Sequence, residues 1–550
     1  MKQLKVAVFC MCLGLALASP AWAQTEQHDH AANPGAIKAG TVNFATSCSP
    51  AVKDDFNLAV AELHSFWFPE ARNLFEGVLK KDPDCAIAYW GIALTYWGNP
   101  FAGQRSAQTI ATGKATIEKG QTTGKATPRE KGYIDAVAGL FSSADVTTQR
   151  ARVVAYEGAT ELVASQNKDD MEARIFWALA IAQTALPTDK TFAQNLKAAE
   201  ILEPLYKKNP NHPGLAHYII HSYDVPALAA KALPAARAYA DIAPSVPHAL
   251  HMPSHTFTRV GEWKESVATN IKSAAEAEKT GGMGEGLHAM DYETYAYLQM
   301  GMDKEAKAVV DHAMAAANTA AATVTAGAPG ANTFAVAAMP ARYAMERQQW
   351  AEAAMLKPTP APTTPYTEAI THFARAIGAA RAGKPADAKA DIARLAAIHD
   401  REIEMKDAYW AEQVDIQRRG AEAWVMFAEG NKAEAIKAMT AVTASEDLTD
   451  KAAVTPGPLA PARELLGFML LEAGQPKEAL VAFEAVMKKE PNRFLAIYGG
   501  GKAAEALKQT TKAKGYYRQI VEICKDASPD RPELVYARKM AGATAPTAKK

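Results

Sequence analysis

The sequence predicts an all-α solenoid, an array of antiparallel helical hairpins stacked one on the next. Three observations predict it. Ala is abundant and β-branched residues are modest in number, a composition that favours helix. Small, aromatic and apolar residues recur at helical spacing and end on proline, as in Ala71, Phe75, Val78 and Pro83, and again in Gly467, Ala479, Phe483 and Pro491. Two histidine pairs, His217/His221 and His251/His255, are each spaced i,i+4, so each pair shares a helix face. The pairs lie 34 residues apart at both members, a period expected of a two-helix repeat unit.

Length and charge bound the rest. A chain of 550 residues is too long for one compact core and calls for several domains or a repeat array. Lys+Arg and Asp+Glu both total 60, so no global field recruits nucleic acid or an anionic membrane surface. Met1-Lys2-Gln3-Leu4-Lys5 reads as a basic leader and Val6 to Ala18 as a short apolar core. Ala21-Trp22-Ala23 then reads as a cleavage site, which makes residues 1–23 a signal peptide. The apolar core is too short to cross a bilayer, and no later stretch reaches about 18 consecutive apolar residues. The expectation is a periplasmic or secreted protein that begins at Gln24 and has no integral membrane segment. Cys10 and Cys12 leave with the leader, and Cys48, Cys85 and Cys524 remain. In an oxidising compartment Cys48–Cys85 can tie the N-terminal segment to the first hairpin, with Cys524 single; three separate structural thiols are the alternative.

Residues 24–45 are polar and unpatterned and read as disordered, and His28 and His30 within them fit a flexible linker better than an amino-terminal copper site. An N-terminal helical array is expected over 46–317. Within it 100–170 departs from the period, and Thr127-Pro128-Arg129-Glu130 reads as a capping box with Pro at N1. Residues 318–365 are first Ala/Thr/Gly-rich, then Pro-rich, and read as an irregular linker. A second array is expected over 366–524, followed by a tail, 525–550.

The residues at the hairpin junctions resemble the tetratricopeptide repeat family. Trp90-Gly91 with Leu94, Ala232, Ala236 and Pro244, Tyr297, Gly301 and Ala306, and the run from Gly467 to Pro491 carry the resemblance. It implies a right-handed superhelix in which small residues let paired helices approach and aromatics fill the gap to the next pair. No hairpin buries its apolar face alone, so stacking is obligatory and leaves a concave groove fit for a peptide or protein. Trp67, Phe68, Tyr89, Trp90, Tyr96 and Trp97 read as packing residues on the same grounds.

Chemistry concentrates between His212 and His288. Seven of the 13 histidines fall there. No HExxH, G-x-S-x-G, Walker loop, strand-borne GxGxxG or CxxC pair is present, and Gly499-Gly500-Gly501 reads as helix packing. Two i,i+4 pairs on neighbouring hairpins could place His217, His221, His251 and His255 around one divalent transition metal, zinc or copper. His212, His248 and His288 are supporting ligands in that reading, and Asp224 and Asp291 carboxylates that orient an imidazole or join the shell. Three ligands would leave an open position for a metal hydrolase or oxidase; four would make a structural staple. The competing reading is a buried hydrogen-bonded network, because all four positions count as inward-facing. His64 reads as a helix-end partner, and His312, His372 and His399 as isolated.

The phrases His64-Ser65-Phe66-Trp67-Phe68, Asn211-His212-Pro213-Gly214-Leu215-Ala216-His217-Tyr218, His248-Ala249-Leu250-His251-Met252-Pro253-Ser254-His255 and His288-Ala289-Met290-Asp291-Tyr292 are similar to a group of exported bacterial tetratricopeptide proteins. That resemblance implies fold and location and supplies no reaction. Two functional expectations follow: an exported scaffold holding a protein or peptide partner in its groove, or a metal-dependent enzyme built on the histidines.

Overall fold

Helix Phe68–Lys81 presents Phe75 to helix Ala86–Trp97, and Gly91 receives it. A Cβ on Gly91 would lie 2.3 Å from that ring, so only glycine lets the two helices meet. The device returns 408 residues later, where Phe483 of helix Pro476–Lys489 sits between Gly467 and Gly499. The triple-glycine run is therefore packing, as the sequence implies.

A computed structural model describes residues 37–124, 126–318, 331–528 and 530–542. Among them the chain forms helices and the turns between them, with no strand. Consecutive helices pack as antiparallel pairs, so the fold is an all-α helical-hairpin solenoid. The capping box forms: the Thr127 side chain accepts from Glu130 N and the Glu130 carboxylate accepts from Thr127 N. No described helix is long and apolar enough to cross a membrane. The leader, residues 24–36 with His28 and His30, and 319–330 lie outside the described residues.

Three expectations change. Residues 37–45, expected to be disordered, run extended along the array and bury Val42 and Phe44. Phe44 packs on Phe56, Trp90 and Tyr133, and Thr41 N donates to the Asn211 carbonyl. Too few apolar residues precede Phe44 to show a period, yet one buried ring anchors the segment. The stretch 318–365, expected to be irregular, holds helices Ala331–Glu346 and Trp350–Ala354. Alanine and a tolerated Pro340 conceal them in a composition that looks like a loop. The tail contains helix Pro532–Ala541, whose Leu534 and Ala537 are buried.

The array also folds back on itself. Trp263 Nε1 donates to the Asn492 carbonyl, Phe494 N to Gln299 Oε1, and Arg531 Nη1 to the Leu298 carbonyl. Closer to the N-terminus, Gln104 donates to the Lys406 carbonyl and Lys190 pairs with Asp450. Cys48 and Cys85 are disulfide-bonded, and Cys524 is buried with its thiol pushed up to about 12 by burial.

Candidate metal centre

Three segments bring the histidines together. Pro213 occupies the first turn of helix Pro213–Ser222, where its missing N–H costs nothing, and the helix carries His217 and His221. Pro247 and Pro253 each open a short helix, Pro247–His251 and Pro253–Val260, which carry His248, His251 and His255. Helix Met283–Gln299 adds His288. All six imidazoles are buried.

The four-histidine set expected from spacing does not share one site. It divides into His217, His221 and His248, and His251, His255 and His288. In each group one atom per residue lies within 4.8 Å of the others. Each i,i+4 pair stays intact and takes its third member from a following helix, His248 from the short Pro247–His251 and His288 from Met283–Gln299. The division follows from the short helix Pro247–His251, which sets His248 against His217 across the hairpin step while His251 turns toward His288. The supporting candidates His248 and His288 are thus full members. Asp291 is not, since Arg342 Nε donates to its Oδ1 at 2.9 Å. His212 belongs elsewhere: its Nε2 and that of His64 each meet a Glu172 carboxylate oxygen at 2.9 Å.

The hydrogen bonds fix the tautomers. His217 Nδ1 lies 2.6 Å from the His64 carbonyl oxygen and must donate. His248 Nδ1 donates to Glu285 Oε2 at 3.0 Å. His251 Nδ1 faces Asn270 Oδ1 at 2.7 Å, and that amide is oriented by its own Nδ2 donating to the Ser266 carbonyl. His255 Nδ1 donates to Asp224 Oδ2 at 2.9 Å. Asp224 is held well below the carboxylate range: burial pushes it up, but Lys451, Arg259 and His255 outweigh that. Four rings therefore carry their proton on Nδ1 and turn an Nε2 lone pair inward.

Those lone pairs lack partners. Nε2 of His217, His221 and His248 are all buried without a hydrogen bond. In the second group His251 Nε2 and His255 Nε2 face each other at 3.0 Å, although both tautomers leave them without a proton. Burial, reinforced by neighbouring imidazoles, holds His217, His221, His251 and His288 well below the ordinary imidazole range. Burial also lowers His255 to about 4, against the pull of Asp224. Neutral lone pairs converging in a dry interior are costly unless a cation fills the gap. The His64–Glu172–His212 group contrasts with this. There the nitrogens face carboxylate oxygens, and Glu172 is lowered by the two imidazoles against burial, so hydrogen bonds already satisfy the facing atoms.

A cavity of about 260 Å³ lies over both groups. His221 and His248 from one, and His255 and His288 from the other, line it, while His217 and His251 lie fully buried behind. The chain's own segment Thr449–Pro458 closes over this region. Tyr292 Oη lies 3.0 Å from the carbonyls of Ala453 and Thr455, and Lys451 Nζ 3.7 Å from Asp224 Oδ2. The face over the histidines is thus covered by the chain's own segment.

Glu172, Glu285, Asn270, Lys451 and the interior role of His64 escape the sequence reading. Only Glu285 carried a signal there, one 34-residue period after His251.

No family model matches the chain, and no curated protein matches it significantly. Among solved structures it is similar to a chain of the APC/C hetero-tetramer Cut9-Hcn1, at 11% identity over 89% of each chain with a TM-score of 0.31. It is similar also to yeast Tom70, at 10% identity over 89% of each chain with a TM-score of 0.28. At these TM-scores the likeness decides nothing further, and the hairpin fold rests on this chain's own helices.

Proposed function

We propose that this chain is an exported oxidoreductase that holds two copper ions, one in each histidine triad. The observation that carries the reading is the set of four rings whose Nδ1–H groups are committed to oxygen acceptors, which leaves Nε2 lone pairs aimed inward without protons. Imidazole sets suit zinc and copper. Charge favours copper in its reduced state. Two copper(I) ions on six neutral ligands bring two positive charges beside Lys451, Arg259 and the Asp224 carboxylate, half what two zinc ions bring. Oxidation to copper(II) would need an anion in the open positions. Each triad keeps a position open to the cavity, as catalytic sites with three protein ligands do. Bound copper would supply one-electron redox chemistry at each ion. Around it, Asp224, Asn270, Glu285 and the His64 carbonyl hold four of the rings in the ligating tautomer.

Elemental analysis of protein purified without an affinity tag, after copper(I) reconstitution, should give two equivalents. His217→Ala and His251→Ala should each give one. Less than about a tenth of an equivalent, unchanged by reconstitution, would reject the reading. Loss of both equivalents from a single substitution would reject the division into two triads.

The leader and the Cys48–Cys85 bond support export to an oxidising compartment. Intact mass of the protein recovered from a periplasmic fraction should begin at Gln24. Alkylation without reductant should leave Cys48 and Cys85 unmodified. An uncleaved chain, or free thiols at both positions, would contradict export.

A further inference from the structure

We infer that the two triads work as one binuclear centre and that the cavity above them admits a single-ring diphenol, which the centre oxidises with dioxygen. The inference rests on the copper reading and adds the coupling of the ions and the substrate class.

Coupling follows from contiguity. Ring centroids of His221 and His255, from different triads, lie 6.2 Å apart, and those of His248 and His251 6.3 Å apart. Within one triad His255 and His288 are 6.1 Å apart. The triads therefore abut with no residue layer between them, and their open positions face the same space. A small bridging ligand could touch both ions, as it does in two-metal sites with ions roughly 3.5–4 Å apart.

The walls of that space point to a ring. Phe101, Tyr366, Tyr409 and Trp410 line it together with the histidines. Phe101 stacks on His221 at 4.1 Å, and Trp410 on Tyr366 at 3.9 Å with planes 3° apart, so flat faces already bound the cavity. Its volume of about 260 Å³ exceeds the roughly 150 Å³ that accommodates benzene, and is far too small for a folded partner. Lys451 Nζ at the wall offers an N–H donor to a phenolic oxygen. An aromatic molecule there can also give electrons at the ligand edge without leaving its pocket.

The reaction balances with dioxygen as oxidant. Two diphenols each lose two electrons and two protons as their O–H bonds break and quinones form. Dioxygen takes up the four electrons and four protons, its O–O bond breaks, and two waters leave.

The test uses the copper-loaded full chain, with 4-methylcatechol as probe. Two coppers per chain should be present, and the oxidised form should show most of its copper(II) paramagnetic resonance lost to spin coupling. Uptake should be one dioxygen per two diphenols. Trp410→Ala, with copper content unchanged, should raise KM by about tenfold, the upper end for losing an aromatic contact. Two coppers seen as two full, isolated spins would overturn the coupling. Coupled copper without dioxygen uptake, or a KM indifferent to Trp410, would overturn the substrate class. Absence of copper would instead bring down the underlying reading, and this inference with it.

Discussion

Arg493→Met is expected to lower stability by about 3–5 kcal/mol, the usual cost of stripping one partner from a buried ion network. Arg493 is fully buried. Its Nε and Nη2 donate to the two Glu464 carboxylate oxygens at 2.7 and 2.8 Å, Nη1 to the Tyr295 hydroxyl at 2.9 Å, and Glu346 Oε1 lies 2.7 Å from Nη2. Tyr295, Glu346 and Glu464 come from three separate parts of the array, so one guanidinium joins them. Burial has already pushed Glu464 up to about 7 despite the arginine beside it. Methionine fills much of the volume but leaves two carboxyls without a cation. Thermal unfolding should show a midpoint lower by roughly 3–4 °C, the shift that about 3–5 kcal/mol produces in a chain of this length. A midpoint within a degree of the parent would mean that the network does not hold the closure.

Asp224→Asn should weaken copper binding at one of the two triads by about 10–100-fold and leave the other as it was. Asp224 orients His255 through Oδ2 and receives Arg259 Nε on Oδ1 at 2.8 Å. An amide at this position can turn its NH2 toward His255 Nδ1, which would move the ring proton to Nε2 and remove the lone pair the metal needs. Competition titration against a copper(I) chelator reads both sites separately. Equal weakening of both, or of neither, would show that Asp224 does not set the His255 tautomer.

The sequence carried the hairpins because their signal is local: glycine and alanine at close crossings, one aromatic per junction, proline at the close. It also carried the histidine pairs, whose i,i+4 spacing forces a common face. It could not say which histidines gather into one group. That depends on the step between hairpins and on the short helices opened by Pro247 and Pro253, which set His248 against the preceding pair. Glu172 and Asn270 were out of reach for another reason. A buried carboxylate and a buried amide look like any surface residue until tertiary packing closes over them. Phe44 shows the converse: one ring in a polar stretch outweighs the composition around it.

The fold-back described above, with Asn492 against Trp263 and Thr449–Pro458 over the histidines, alters what this architecture can become. An open array can gain or lose a repeat at either end, because each unit depends only on its neighbours. Here an inserted hairpin anywhere between residues 300 and 450 would carry Lys451 and its segment away from Tyr292. Between those residues, therefore, the repeat number cannot change without opening the cavity over the histidines.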